Sequence, residues 1–161
     1  MGLPKLDTNF LRPFFEGTAE TLSVQCSVKV KAGKPFPKTP ENMKGVQTDL
    51  AAIIGLTSSS FNGSIALCFP DATFLKVMGG MLGEDFEEID EDLEDGAGEL
   101  LNIIFGFAKR VLNDKGYDIE KAIPSVVKGK DVKLQHLTEA TAIIVPFASE
   151  AGKFHIEIVI D

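Results

Sequence analysis

The sequence predicts one α+β domain in which two similar halves, each a long helix followed by three strands, share one mostly antiparallel sheet. The long helices are expected to pack on one face of that sheet. The chain has 161 residues, the size of a single ordinary domain. Helical and alternating patterns follow in the same order in both halves, and the segments Ser27–Lys34 and Ser125–Lys130 resemble each other. Residues 1–161 are therefore interpreted as one domain with a weak internal repeat.

The first half begins with apolar residues at helical spacing. Phe10, Phe14 and Leu22 predict a helix over residues 6–25, capped by Asp7 or Thr8. Beyond it, alternating and apolar runs predict strands at Ser27–Lys31, Gln47–Leu56 and Gly63–Phe69, with a proline-rich loop at Lys34–Asn42. The segment Phe61–Ser64 contains Asn-Gly, which accepts the positive φ of tight turns, and so predicts a hairpin between the last two strands.

The second half opens with a short helix, Asp71–Leu82, which ends before Gly83. A longer helix is predicted over Asp90–Asn113, because acidic residues at its start favour the positive end of the helix dipole and Gly116 follows its end. The expected strands of this half are Pro124–Lys128, Ala140–Phe147 and Lys153–Ile160. The last strand alternates cleanly, which places His155 on its polar side.

Charge and composition exclude several classes of function. Sixteen basic against twenty-four acidic residues give a net charge of −8, which disfavours nucleic acid and favours a basic partner. Cys26 and Cys68 stand far apart and are expected to be buried thiols, and His136 and His155 are isolated, so no metal site is predicted. No signal-peptide core or membrane-length apolar run occurs, which indicates a soluble cytoplasmic protein without a membrane partner.

The long helix carries a polar stripe opposite its apolar face. Glu99 and Asn102 are three residues apart and therefore neighbours on the helix surface, with Asp95 one turn before them. Gly106 lies in the same stripe, where a glycine costs about 1 kcal/mol relative to alanine. One reason for that glycine is the close approach of another molecule. The alternative is an ordinary solvated helix face with a tolerated glycine.

The chemistry open to this pair is limited. An asparagine amide is no useful acid or base, but it can hold a water by donating and accepting hydrogen bonds. A neighbouring carboxylate can pair with a lysine of a docked molecule. The chain has no GxSxG sequence, and its segment Gly79–Gly83 is neither a P-loop nor a dinucleotide fingerprint, which argues against an ordinary hydrolase.

The segment from Asp95 to Asn102 fits the D/S-x3-E-x2-N signature of the CheC/CheX/FliY family of bacterial chemotaxis phosphatases. The flanking segments Met81–Glu84 and Pro124–Lys130 also resemble that family, and the similarity extends over essentially the whole chain. Pro124 comes one residue earlier after Asn102 than is usual. The first helix has Glu16 but an alanine, Ala19, in place of the second asparagine, so the chain resembles the CheX-like members with one motif.

The resemblance implies hydrolysis of the aspartyl phosphate on a CheY-type receiver domain. Asn102 would then orient the attacking water and Glu99 would pair with a receiver lysine, while Mg²⁺ belongs to the receiver and the chain needs no cofactor of its own. Asp95 and Pro124 are the expected partner-binding residues, and Gly106 joins them on steric grounds alone. The family further implies a homodimer joined at a sheet edge, for which the Lys34–Asn42 loop and the strand after it are the candidate segments.

Two other classes of function stay open. A protein with this fold could dock on a receiver or on the flagellar switch without catalysing a reaction, and it would then need the surface around Asn102 but not the amide itself. A scaffold that acts only through its dimer interface would need neither.

Overall fold

The computed structural model describes residues 6–59, 61–121, 123–136 and 140–161. Within these residues there are three helices and eight strands. The helices are α1 (Thr8–Cys26), α2 (Asp71–Leu82) and α3 (Glu91–Asp114). The strands are β1 (Val30–Ala32), β2 (Phe36–Pro37), β3 (Leu50–Thr57), β4 (Asn62–Phe69), β5 (Glu120–Lys121), β6 (Ser125–Lys128), β7 (Ile143–Ser149) and β8 (Gly152–Ile160).

The strands form one sheet in the order β1-β7-β8-β4-β3-β5, with β2 also paired to β7 and β6 also paired to β3. Every pairing among the described strands is antiparallel. The three helices bury their apolar residues against one sheet face, where Leu67, Phe69 and Ile156 belong to the main core. The predicted α+β class, with an antiparallel sheet and helices on one face, is confirmed.

The helices begin and end where local chemistry favours it. The Asp7 carboxylate accepts a hydrogen bond from the Phe10 N–H (3.1 Å), and the Asp90 carboxylate accepts one from the Leu93 N–H (2.9 Å). Gly83 ends α2 in the left-handed conformation (φ 75°), which glycine adopts at little cost. The predicted helices are therefore confirmed.

The expectation of three strands in each half is wrong, because four strands follow α1 and four follow α3. Ser27 caps α1 in the left-handed conformation (φ 55°), so the first strand begins only at Val30. The two-residue strand β2 lies inside the segment expected to be a loop and pairs Phe36 with Ile144. The similarity of the two halves to each other stays a prediction.

The hairpin between β3 and β4 exists, but its turn does not fall at Asn62-Gly63. The Ser58 N–H donates to the Phe61 carbonyl (2.9 Å), and Asn62 already pairs with Thr57 in the sheet. A side chain at Gly63 would collide with the Val159 carbonyl of β8. The glycine therefore permits close approach of two strands and does not form the turn.

His155 lies, as predicted, on the polar side of β8 together with Glu157, but that side is buried. Only 4% of His155 is exposed, and Glu157 on the same side is 1% exposed. The reason is tertiary, since Lys38 and His136 come from segments distant in sequence and contact Glu157 over this face. The alternation along β8 separates two sheet faces, and both are covered.

Both cysteines are buried and free, as predicted. Cys26 ends α1, and burial raises the pKa of its thiol to about 11. Burial also raises the pKa of Cys68, on β4. Both thiols are therefore protonated near neutral pH and unsuited to nucleophilic chemistry.

Candidate functional site

The polar stripe of α3 faces away from the core. Glu99 and Asp95 are exposed, and Asn102 is half-buried one turn further along the helix. The opposite side of α3 is buried in the main core through Leu93, Ala97, Leu100, Leu101, Ile104, Ala108 and Leu112. Burial of that apolar face fixes the rotation of the helix, and it leaves Glu99 and Asn102 on the accessible side.

Pro124 packs against α3 at Gly98, the residue that precedes Glu99. A Cβ added to Gly98 would stand 3.7 Å from Cγ of Pro124 and 3.9 Å from a methyl group of Val126. These are ordinary van der Waals distances, so the start of β6 packs on α3 at the turn that carries the motif. The structure thus brings Pro124 to the turn of α3 that carries Glu99, across a sequence gap that spacing alone could not close.

A second set of contacts holds β6 to the beginning of α3. Lys128 forms an ion pair with Glu94 (3.2 Å) and donates a hydrogen bond to the Ile89 carbonyl (3.1 Å). Lys128 and Glu94 are both partly exposed, so the ion pair alone contributes little stability. Together with the Pro124 contact, it fixes the position of the strand along the helix.

Gly106 is exposed one turn after Asn102, and nothing lies within 4 Å of a Cβ built on it. Gly17 on α1 differs, because a Cβ there would be 3.2 Å from the Ile104 carbonyl oxygen and 3.0 Å from the Phe107 ring. Gly17 therefore favours the close contact between α1 and α3, where a Cβ would be tightly packed. Nothing within the described structure requires a glycine at position 106.

The turn of α1 that contains Glu16 has no asparagine in the place that Asn102 takes on α3. Glu16 is exposed and Ala19 is half-buried, so their placement resembles that of Glu99 and Asn102. The methyl group of Ala19 can neither donate nor accept a hydrogen bond. This turn cannot orient a water through its side chain at position 19.

Asp49 was not singled out from the sequence. It is buried and lies directly before β3. Its carboxylate accepts hydrogen bonds from the Asp71 N–H (2.9 Å), the Asp131 N–H (3.0 Å) and the Gln47 amide (2.8 Å). Burial by itself raises the pKa of Asp49, but these three donors outweigh it and lower the pKa below its ordinary value. Asp49 therefore fixes the start of α2 relative to β3.

A cavity of about 1130 Å³ lies over the sheet face opposite the helices. Its floor includes Cys68, His155 and Glu157. Glu157 pairs with Lys38 (2.7 Å) and with His136 (2.9 Å), so both of its oxygens have partners. Burial lowers the pKa of His155 to about 4, which keeps the imidazole neutral. The sheet separates this cavity from Glu99 and Asn102.

In the described part of the chain, no group of three or more His, Cys, Asp or Glu side chains could hold a metal ion. None of the three helices combines the length and the apolar character needed to cross a bilayer. The exposed stripe of α3 thus offers an amide and carboxylates as its chemical groups.

The fold is that of the CheC-like chemotaxis proteins. The crystal structure of a CheC-like superfamily protein from Shewanella matches with a TM-score of 0.88 and 35% identity, over 97% of this chain and 99% of that one. A CheX–CheY–BeF3–Mg²⁺ complex from Borrelia burgdorferi matches with a TM-score of 0.78 and 25% identity, over 97% and 99%.

Sequence comparisons identify the family within this class of proteins. The family model described as chemotaxis phosphatase CheX matches residues 50–148. The CheY-P phosphatase CheX of Thermotoga maritima is 28% identical over 131 residues, which are 81% of this chain and 82% of that protein. The chain belongs to the CheX family of chemotaxis phosphatases, as its resemblance to that family indicated.

Proposed function

We propose that this chain hydrolyses the aspartyl phosphate of a CheY-type receiver domain, with Asn102 positioning the water and Glu99 fixing the receiver. The observation that carries the proposal is the Glu99–Asn102 pair on the side of α3 that faces away from the core, with Glu99 exposed and Asn102 half-buried. Membership of the CheX family supports the same reaction. So do the relatives, one a CheY-P phosphatase and one in complex with CheY.

The reaction requires positioning more than covalent chemistry. Water attacks the phosphorus atom, the bond between phosphorus and the aspartate oxygen breaks, and the products are a free carboxylate and inorganic phosphate. The Asn102 amide can accept from that water through its oxygen and can donate through its nitrogen, which fixes the water in line. Because an amide cannot take up the proton, Asn102 is not a general base.

Glu99 acts on the docked partner. One helical turn from Asn102, its carboxylate forms a charged hydrogen bond with a receiver lysine and sets the register of the complex. Asp95 adds negative charge at the rim, and Pro124 supports the turn that carries Glu99. Gly106 leaves space for the receiver backbone on the other side of Asn102.

The Mg²⁺ ion is assigned to the receiver. It would neutralise charge on the phosphoryl group there, and the Borrelia complex contains Mg²⁺ together with BeF3 and CheY. The described residues of this chain offer no group that fits a divalent cation. The chain's own contribution is therefore the placement of water and of the receiver lysine.

The test is the decay of acyl phosphate on Mg²⁺-loaded CheY-type receivers, with and without the chain. Faster decay that rises with chain concentration is the expected result. Unchanged decay on every receiver from the same organism would contradict the enzyme. Binding without faster decay would support the alternative, a module that docks on a receiver or on the flagellar switch without catalysis.

The chain is further proposed to act as a homodimer in the cytoplasm. The segment Lys34–Asn42 contributes the short strand β2 beside β1 at one end of the sheet, which supports edge-to-edge pairing of two copies. Light scattering would give the mass in solution, and Phe36→Lys should shift a dimer towards monomer. A monomer at micromolar concentration would contradict this part of the proposal without affecting the reaction.

A further inference from the structure

Ile123 is an apolar side chain left almost entirely in water. It is 89% exposed, compared with 70% for Val24, 52% for Leu82 and 37% for Val127, the other large apolar side chains exposed in the described structure. Single exposed apolar residues are common on protein surfaces. The position of Ile123 distinguishes it from the others.

Ile123 directly precedes Pro124, whose ring packs on α3 at Gly98, the residue before Glu99. Ile123 is therefore one residue from the contact that joins this segment to the Glu99–Asn102 turn. Its exposed side chain lies at the edge of the surface on which the receiver is proposed to dock.

The backbone at Ile123 is also held in place. A residue before proline is restricted to extended conformations, and the proline ring fixes the next φ angle. Two residues later Ser125 pairs with Ile53 in the sheet, and Lys128 is held by Glu94 at the start of α3. Ile123 is thus presented at small cost in conformational entropy, as expected of a binding anchor.

We infer that Ile123 is an apolar anchor for the receiver domain, buried on docking against an apolar patch beside the receiver's phosphorylated aspartate. This inference rests on the proposed function and deepens it. The polar pair on α3 provides orientation and chemistry, and Ile123 provides apolar area at the same contact. Such a residue determines affinity and leaves the chemical step unchanged, because it contacts neither the water nor the phosphoryl group.

The test compares Ile123→Ala with the wild type on a phosphorylated receiver and on its beryllofluoride-loaded form. Loss of the buried side chain beyond Cβ is expected to raise KM and the dissociation constant about tenfold. The turnover number at saturating receiver is expected to stay within about twofold, and Ile123→Val to restore most of the affinity.

Val127→Ala is the matched control. Val126 lies near Gly98 of α3, so its neighbour Val127 points to the opposite sheet face and away from the proposed contact. Val127→Ala removes a partly exposed β-branched side chain from β6, the strand that follows Ile123 and Pro124, and it should leave KM unchanged. Thermal unfolding of each variant checks that both are folded.

The outcomes separate this inference from the proposed function. If Ile123→Ala keeps the wild-type KM and affinity while Asn102→Ala loses turnover, the anchor is overturned and the phosphatase stands. If Val127→Ala weakens binding as much as Ile123→Ala, the anchor is overturned as well, since the effect then arises from the strand. If the wild-type chain neither binds nor dephosphorylates a receiver, both proposals fall.

Discussion

Pro124 packs over Gly98 at a distance of 3.7 Å from the position that a Cβ at residue 98 would occupy. This contact places the start of β6 beside the Glu99–Asn102 turn, although more than twenty residues separate them in sequence. It also shows that Gly98 has room for a methyl group. A buried glycine of α3, Gly98, can therefore be compared by substitution with an exposed one, Gly106.

Gly106→Ala should stabilise the chain and weaken the receiver complex. Alanine in place of a mid-helix glycine adds about 1 kcal/mol to the free energy of unfolding, because it reduces the backbone entropy lost on folding. The Cβ at position 106 projects into open space, where it would meet the docked receiver. Urea denaturation measures the first effect, and KM on a phosphorylated receiver measures the second.

Gly98→Ala is the control for that experiment. Its Cβ meets Pro124 at an ordinary van der Waals distance, so a similar gain in stability is expected with KM unchanged. Equal KM values for Gly106→Ala and the wild type would contradict the proposed role of Gly106.

Glu99→Gln should lower kcat/KM, whereas Glu16→Gln should not. Each substitution removes one negative charge from an exposed helix position, so both change the long-range field of the chain equally. Loss of a charged hydrogen bond to the receiver costs about 2 kcal/mol, or about thirtyfold in kcat/KM. Equal losses from Glu16→Gln, measured in the same decay assay, would show that net charge and not position matters.

Lys38→Met should destabilise the chain without changing turnover. Glu157 is 1% exposed, and removal of one partner from a buried ion pair costs about 3 kcal/mol because the remaining charge stays desolvated. The double variant Lys38→Met/Glu157→Gln should recover part of that loss. Urea denaturation checks the free energies, and no recovery in the double variant would contradict a charge-based cause.

His155 should make the chain sensitive to acid between pH 6.5 and about 4. Burial lowers its pKa from 6.5 to about 4, so between these values the unfolded chain binds a proton that the folded chain does not. Stability therefore rises with pH across this window, and about 3 kcal/mol is lost as the pH falls through it. Denaturation of the wild type and His155→Gln at several pH values should show a shallower acid loss for the variant.

The sequence predicted well those elements whose pattern is local. Asp71 near its start and Gly83 just past its end predicted α2, and the core-facing residues of α3 followed from a period of 3.6. The two-residue strands β2 and β5 could not be predicted, because two residues carry no periodicity and form only through pairing with β7 and β3.

In the candidate site, too, local features could be predicted from the sequence and tertiary contacts could not. Helical spacing alone predicts that Glu99 and Asn102 are neighbours, and the core-facing residues of α3 predict that they are exposed. The position of Pro124 beside them depends on tertiary packing at Gly98, so spacing could not supply it. The burial of His155 and Glu157 could not be predicted, because the segments that cover them lie elsewhere in the chain.

The most direct test of the account is the turnover of Asn102→Ala at saturating phosphorylated receiver, measured beside its affinity for the beryllofluoride-loaded form. Loss of accelerated decay with affinity close to that of the wild type is the predicted result, because the amide positions water and Glu99 with Ile123 holds the receiver. Wild-type turnover by Asn102→Ala would contradict the account, since the water would then be positioned by another group.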